Sequence, residues 1–232
     1  MHGNAGKAFN TMKEFSWSFS RLKNFSTCAF RHEQVDILKK YKEDSAQLTE
    51  GNRVHAALAN ALTGKTALPP DLRLYQKWVD KIQGMPGELL VEQKFALTRS
   101  WEPTEYFSPR VWLRSIADVV RLDGPIGFTG DFKTGKMKHD ADQLTIVAQC
   151  IFSFHPEVQK ISASFIWLQD GAATKEIFTR ETVANAWKNG LLQRVEAMET
   201  AARTNNYPKQ PGGLCKKWCP VSECPHYQIG SF

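Results

Sequence analysis

The chain has 232 residues, of which 42% are hydrophobic and 23% are charged, a composition that excludes a wholly disordered or collagen-like protein. Its 30 basic and 24 acidic side chains give a net charge of +6, which permits a polyanionic partner without requiring one. The sequence has no apolar run of about 18 residues that would predict a membrane span, and its first residues lack the apolar stretch of a secretory signal. We therefore expect a cytoplasmic protein with no membrane partner.

The predicted secondary structure begins with helices and continues with strands. After a flexible leader over 1–15, the hydrophobic spacing predicts helices over 16–30, 31–43, 48–63 and 69–82. Strands are predicted over 88–98, 110–122, 126–133 and 159–168, with a short strand over 174–179 and helices over 140–154 and 180–204. This order predicts an α/β fold with an N-terminal helical layer. We expect one domain over 16–232, made of that layer (16–87), an α/β core (88–204) and a cysteine-rich closing segment (205–232).

Two aspartates lie where a predicted hairpin brings them together. Asp118 is inside an apolar strand segment, and Asp131 ends the next strand, beyond an Asp-Gly-Pro turn at 123–125. Two adjacent carboxylates repel unless a cation lies between them, and their oxygens suit Mg²⁺ or Mn²⁺. Lys133 shares a strand face with Asp131, where its ammonium can orient a water or offset charge on a phosphate. The same residues also fit an ordinary strand end, because an Asp followed two residues later by a Lys is common.

Three further features have competing interpretations. His55 lies in the third predicted helix, where a histidine is usually a packing or surface residue, and Glu92 lies in an apolar strand, where it is as readily a solvent-facing residue. Residues 130–136 (GDFKTGK) match the spacing of a phosphate-binding loop, but Met137 follows where Ser or Thr is needed for Mg²⁺. We therefore reject a nucleotide-binding loop.

Three of the five cysteines lie close together near the C-terminus. Cys215, Cys219 and Cys224 are separated by three and four residues, a clustering that in a cytosolic chain indicates metal ligands rather than disulfides. Three thiolates leave a tetrahedral ion or a cubane cluster one ligand short. Cys28 would complete the set by joining the two ends of the chain, and His226 would complete a local zinc site instead. Unligated thiols are a third interpretation; Cys150, in an apolar stretch, is predicted to be a buried side chain.

Taken in order, these segments resemble the PD-(D/E)XK nuclease superfamily. The similarity is to its RecB-like branch with a four-cysteine iron–sulfur staple, which includes CRISPR-associated RecB-like exonucleases, the AddB nuclease domain and stand-alone phage exonucleases. It runs from Ser16 to Tyr227 and rests on SWSFSRLKNFSTCAFR (16–31), GNRVH (51–55), the aspartate at 118, GDFKTGK (130–136) and the last three cysteines. It implies a restriction-endonuclease-like core with a central mixed sheet flanked by helices.

The resemblance also implies roles for individual residues. His55, Asp118 and Asp131 correspond to the ligands of Mg²⁺ or Mn²⁺, Lys133 to the catalytic lysine and Gln143 to the glutamine of the following helix. Glu92 is added as a supporting member of the catalytic group. The resemblance also implies a [4Fe–4S] cluster, with Zn²⁺ as the alternative, whose ligands are Cys28, Cys215, Cys219 and Cys224. Beside this, the basic and aromatic N-terminal helices suggest Arg21 and Lys23 as contacts to DNA phosphates.

The implied function is that of a metal-dependent DNA nuclease. The expectation is an exonuclease for linear or single-stranded DNA in phage or bacterial recombination, repair or degradation, in the host cytoplasm if it is phage-encoded. It would act alone, as a homo-oligomer, or with a separate helicase or recombination partner. A non-cleaving DNA-binding module and an RNA-directed nuclease are the alternatives. Three departures from the family pattern concern Ser115 in place of a common Gly, Val147 in place of a Tyr, and the cysteine spacing.

Overall fold

A six-stranded mixed sheet forms the centre of the fold. The structure is a computed structural model, and it describes residues 15–43, 45–137 and 141–229. The strands are β1 (Glu88–Leu97), β2 (Leu113–Asp123), β3 (Ile126–Lys133), β4 (Lys160–Trp167), β5 (Ala172–Ala173) and β6 (Glu176–Thr179). The sheet order is β1-β2-β3-β4-β5, with β6 also paired to β4. The α/β fold with a central mixed sheet, predicted from the sequence, is confirmed.

Seven α-helices of 4 to 17 residues lie in the described part of the chain, and some continue into π-helical or 3₁₀ turns. They are α1 (Phe19–Thr27), α2 (Ala29–His32), α3 (Ala46–Leu62), α4 (Gln76–Gln83), α5 (Asp142–Phe154), α6 (Arg180–Ala186) and α7 (Leu192–Thr204). Turns of π-helix follow α2 (Glu33–Ile37) and α6 (Trp187–Leu191), and 3₁₀ turns cover Pro70–Tyr75 and Gly213–Lys216. Within the described residues, no helix is long and apolar enough to cross a membrane.

The connections of the strands explain why the sheet is mixed. β1, β2 and β3 form an antiparallel meander, because each strand is followed in the chain by its neighbour in the sheet. β3 and β4 are parallel, and a parallel pair needs a crossover, which α5 supplies. The strands β5 and β6 then add antiparallel to β4.

Both faces of the sheet are covered by helices. One apolar core joins Leu22 of α1 and Ile151 of α5 with Trp187 and the α7 side chains. The other joins α3 and α4 with Val119, Phe132 and Ile166 of the sheet. The helices at the N-terminus therefore divide between the two faces, α1 lying on the side of α5 and α3 with α4 on the opposite side.

Three predicted helices differ from the structure. The helix predicted over 16–30 is broken at Cys28, whose φ of −164° and ψ of 112° are extended. The helix predicted over 180–204 is interrupted at Asn189 and Gly190, whose φ of 138° leaves the helical region, so that α6 and α7 are separate helices. A glycine adopts such a backbone without steric cost, which is why the break falls there. The helix predicted over 31–43 ends at Ile37, and Lys39 follows with a φ of 53°. The predicted leader falls, except for Phe15, outside the described residues.

The rejected phosphate-binding loop is also absent from the described structure. Gly130, Asp131 and Phe132 are paired strand residues of β3, not a loop. A side chain at Gly130 would approach Val119 Cγ1 to 3.0 Å and Ile166 Cδ1 to 3.1 Å. The first glycine of the motif is therefore explained by close packing inside the sheet.

Candidate active site

The candidate site lies where β2 and β3 separate. The two strands are paired from Asp123 opposite Ile126 to Val119 opposite Gly130. One residue further along each strand come Asp118 and Asp131, which the pairing leaves at the fork. The main-chain N–H of Phe132 donates to Asp118 Oδ2 at 2.8 Å, a bond from backbone to side chain that fixes the Asp118 carboxylate across the gap. The hairpin register thus brings the two acids together, as the turn at 123–125 predicts.

Three side chains from three elements converge on this fork. His55 of α3, Glu92 of β1 and Asp118 of β2 each offer a ligand atom, and these atoms lie within 4.8 Å of one another. His55 Nδ1 is 3.3 Å from Asp118 Oδ2. Among the residues that the structure describes, this is the one group of three or more His, Cys, Asp or Glu side chains gathered so closely. A mixed set of one imidazole and two carboxylates is a donor set for a divalent cation.

The carboxylates of the site hold unfavourable charge in the metal-free protein. Burial, followed by repulsion from Asp118, raises the pKa of Asp131 to about 6. Partial burial and then Asp118 likewise raise the pKa of Glu92. For His55, burial disfavours the imidazolium, but the hydrogen bond and charge of Asp118 outweigh it and raise its pKa. Besides burial, the three pKa shifts share one contribution, the negative charge of Asp118, which a cation would offset.

A second network holds Lys133 beside these three side chains. Lys133 Nζ donates to Gln143 Oε1 at 2.7 Å and pairs with Asp131 Oδ2 at 2.7 Å. Gln143 Nε2 in turn donates to Asp131 Oδ1. The ammonium also lies 4.9 Å above the ring of Phe165. Gln143 therefore bridges the lysine and the aspartate from the first turn of α5, and the three side chains have little freedom to rotate.

A cleft of about 790 Å³ opens above these residues. All six predicted catalytic and metal-binding side chains line it: His55, Glu92, Asp118, Asp131, Lys133 and Gln143. Sequence reasoning missed other lining residues, among them Asn52, Asn60 and Lys65 along α3 and its end, and Ile116 on β2. A signal existed for Ile116, since it precedes Asp118 by two residues and so shares its strand face. Gly51 also lines the cleft, where a Cβ would make ordinary contact with Thr134 Oγ1 at 3.4 Å.

The PD-(D/E)XK nuclease superfamily model matches residues 16–224, which is most of the chain. The protein belongs to the PD-(D/E)XK nuclease superfamily. No curated protein matches the sequence significantly. Among solved structures, a "putative exonuclease" from Eubacterium rectale is 11% identical, with a TM-score of 0.50, over 94% of this chain and 92% of the other. The structure of SSO0001 is 10% identical, with a TM-score of 0.41, over 92% and 88% of the two chains.

The four predicted cluster ligands of this PD-(D/E)XK protein line one small cavity. Cys28, Cys215, Cys219 and Cys224 surround about 70 Å³, and His226 also reaches it. The main-chain N–H groups of Gln210 and Gly212 donate to the sulfurs of Cys28 and Cys215, both at 3.4 Å. Cys28, at the junction of α1 and α2, thus meets the tail across the length of the chain. Cys150, by contrast, is buried in the core on the side of α5.

Arg21 and Lys23, the predicted DNA contacts, do not line the cleft. Arg21 is partly buried, and its guanidinium donates to the carbonyl of Ser16 at 3.2 Å. Lys23 is exposed on α1, with its ammonium 5.6 Å above the ring of Phe19. Val147, four residues after Gln143, is 4% exposed, so the position where the family pattern has a tyrosine belongs to the core here.

Proposed function

We propose that this protein is a divalent-metal-dependent DNA nuclease that degrades DNA from an end. The observation that carries the proposal is the convergence of His55, Glu92 and Asp118 within 4.8 Å, next to a lysine held by Asp131 and Gln143. Membership of a nuclease superfamily makes a nucleic acid the expected substrate. The similar protein from Eubacterium rectale is named a "putative exonuclease", which agrees with action from an end.

The residues of the site fit Mg²⁺ or Mn²⁺. Asp131 is buried, with 8% of its surface exposed, and its carboxylate lies near that of Asp118. A cation stabilises two carboxylates held so close together. We propose His55, Glu92 and Asp118 as ligands, with Asp131 able to contribute a further oxygen. A bound divalent ion would lower the pKa of the attacking water and would offset the negative charge of the phosphate.

The protein's own groups have separate tasks in this proposal. Lys133 orients the attacking water and places a positive charge where the phosphate gains negative charge. Gln143 fixes the position of the ammonium by accepting its hydrogen bond and donating to Asp131 at the same time. The Phe132 N–H holds the Asp118 carboxylate in the orientation that meets His55. Each task depends on positions that the described side chains already occupy.

We further propose that the four cysteines hold a [4Fe–4S] cluster. The proposal is supported by the four cysteines lining one cavity, where Cys28 supplies the ligand that the three tail cysteines lack. The same four thiolates are also a complete donor set for one Zn²⁺, so metal analysis decides between the two groups. The site would connect segment 205–232 to the N-terminal helices of a single nuclease domain.

The test of the nuclease proposal is a cleavage assay with the full chain. Anaerobically purified protein is incubated with end-labelled linear and closed circular DNA in Mg²⁺, Mn²⁺ or EDTA. We expect metal-dependent loss of linear DNA, abolished in Lys133→Ala and retained in Lys175→Ala, an exposed lysine at the other edge of the sheet. Cleavage of circles would replace action from an end by internal cutting. If no DNA or RNA is cut, the protein is not a nuclease by itself, and the result favours the alternative of a non-cleaving DNA-binding module.

A further inference from the structure

The sheet face that carries Glu92 and Asp118 continues into a basic and aromatic surface. Lys94 and Ile116 are paired across β1 and β2, two residues beyond the two acids, and both are exposed. Arg114 follows two residues further, opposite Ala96. Because alternate strand residues share a face, these side chains lie in successive rows leading away from the acids. We call Lys94, Tyr106, Phe107, Arg114 and Ile116 the basic–aromatic strip.

The aromatic members of the strip belong to a loop that is well fixed. Arg114 Nε donates to the carbonyl of Tyr106 at 2.8 Å, and its guanidinium lies 5.8 Å from the Tyr106 ring. The loop is further closed by a hydrogen bond from Thr104 N to Ala96 O at 3.0 Å. Tyr106 and Phe107 meet edge to face with centroids 5.2 Å apart. This places the faces of both rings within reach of Lys94, at 5.6 and 6.0 Å.

Phe107 is 83% exposed even though its loop is held in place. A large apolar ring kept in water on an ordered loop gains nothing for the fold, because burial is what stabilises such a ring. Ile116 is 42% exposed in the middle of a central strand, next to the site. Exposed apolar groups among basic side chains are the composition of surfaces that stack bases and follow a phosphate backbone.

The strip is continuous with the cleft. A second cavity, of about 280 Å³, is lined by Tyr106, Arg114 and the serines at the start of α1. Ile116 and Gln143 line both this cavity and the active-site cleft. A nucleic-acid strand that leaves the active site therefore reaches the strip first at Ile116.

We propose that the basic–aromatic strip binds the single-stranded nucleotides that adjoin the scissile phosphate. Phe107 stacks on a base, Ile116 contacts the sugar or base nearest the site, and Lys94 pairs with the intervening phosphate. A single strand is required, because the faces of bases in a duplex are already stacked. This proposal rests on the proposed nuclease function and specifies the form of its substrate.

The experiment measures binding separately from cleavage. A short fluorescein-labelled oligothymidylate, and the same backbone carrying abasic sites, are titrated with full-length variants in EDTA by fluorescence anisotropy. We expect Phe107→Ala to weaken binding of the thymidine strand about 5- to 160-fold, since one stacked base contributes about 1–3 kcal/mol. Abasic binding should stay within about twofold of wild type, and Phe107→Trp should restore thymidine binding.

Lys94→Ala should lower the dependence of log K on log salt by about 0.7, the loss of one phosphate contact to a single strand. Leu74→Ala and Lys175→Ala are matched controls at exposed positions away from the strip, and each should bind as wild type. Circular dichroism checks that every variant folds.

Equal affinity of wild type and Phe107→Ala for the thymidine strand would overturn the proposal that Phe107 stacks on a base. Equal losses of affinity for the thymidine and abasic strands would overturn it as well. The cleavage assay with Lys133→Ala is independent of this result. If wild type does not cut but Phe107→Ala loses base-dependent binding, the nuclease proposal fails, and the strip is a binding surface for single strands without a scissile phosphate beside it. If wild type cuts but the strip variants bind normally, the nuclease proposal stands and the strip proposal fails.

Discussion

Glu92 of β1 lies opposite Asp118 of β2, at the level where the alternation of side chains between the two sheet faces is interrupted. The flanking pairs, Val91 with Val119 and Gln93 with Ala117, are in register, whereas Glu92 itself has a φ of 52°. In β2, Ala117 and Val120 both pack in the core on the α5 side, and Val119 packs in the core on the α3 side. The alternation is therefore broken, and both acids can face the cleft beside buried valines.

This backbone predicts different effects of two substitutions at Glu92. A non-glycine residue at positive φ is strained by about 1 kcal/mol, and glycine relieves that strain. We expect Glu92→Gly to unfold at a higher denaturant concentration than Glu92→Ala, by about 1 kcal/mol in free energy, with neither variant retaining full metal-dependent cleavage. Equilibrium urea unfolding measures the difference. Equal stability of the two variants would show that the strain is absent in solution.

The sequence predicted most of the fold and the set of cleft residues, but not this distortion. Strand periodicity placed Asp118 and Asp131 at adjacent hairpin positions, because register follows from turn length. It could not show that Glu92 turns toward His55, since a strict period of two does not include a left-handed residue inside a strand. The sequence patterns also assigned no structure to the loop before β2. That loop is held by hydrogen bonds from Arg114 Nε to Tyr106 O and from Thr104 N to Ala96 O, which hydrophobic periodicity does not reveal.

Gln143 is expected to act as a positioning residue for Lys133. Gln143→Ala removes the acceptor of the lysine and the donor to Asp131, which leaves the Lys133–Asp131 ion pair without the bridge that orients it. A small misplacement of a catalytic group can cost about a hundredfold in rate. We expect the single-turnover rate of DNA cleavage to fall about 10- to 100-fold, with the dissociation constant for DNA unchanged. A variant that lowers affinity and leaves the saturated rate intact would instead make Gln143 a substrate contact.

Asp131 should destabilise the metal-free protein at neutral pH. Its pKa is about 6 in the fold and close to 3.9 in an unfolded chain. For an acid, a raised folded pKa means that the unfolded state ionises more readily, so stability is lost as pH rises from about 4 to about 6. We expect Asp131→Asn to raise the unfolding free energy in EDTA by about 1–3 kcal/mol at pH 8, and by little near pH 4.

The exposed Asp170→Asn serves as the matched control for that measurement. Thermal unfolding in EDTA at several pH values should show a gain for Asp131→Asn that grows between about pH 4 and pH 6. A gain of the same size at every pH would mean that packing, rather than charge, is responsible. With Mg²⁺ present the wild type should gain stability, because a ligand that binds only the folded state stabilises it.

Arg180 is expected to matter for the fold rather than for the chemistry. Its guanidinium donates to the carbonyls of Phe152, Pro156 and Val158 at 2.8 to 3.1 Å, at the end of α5. Removing a donor from partly buried carbonyls costs about 1–3 kcal/mol. Arg180→Ala should therefore lower the unfolding free energy by about 2 kcal/mol, whereas Arg203→Ala, at an exposed position of α7, should change it little. A cleavage defect without loss of stability would contradict this assignment.

Because Cys28 lines the cysteine cavity, its substitution should change both the metal content and the attachment of the C-terminal tail (205–232). Besides lining the cavity, Cys28 begins a segment bound to the tail through Phe30 N to Pro208 O at 3.2 Å and Ala29 N to Gln210 Oε1 at 3.3 Å. Cys28→Ser should lose iron and visible absorption and should release the tail to limited proteolysis, because closure of so long a loop depends on the cross-link.

Cys150→Ser is the matched control for a thiol. Because Cys150 lies in the core, this variant loses stability but should keep its full iron content. Anaerobic iron and zinc analysis with absorption spectra distinguishes the outcomes. One zinc per chain and no iron would replace the proposed cluster by a tetrahedral zinc site. Iron retained in Cys28→Ser would contradict the proposal that the cluster joins the two ends of the chain.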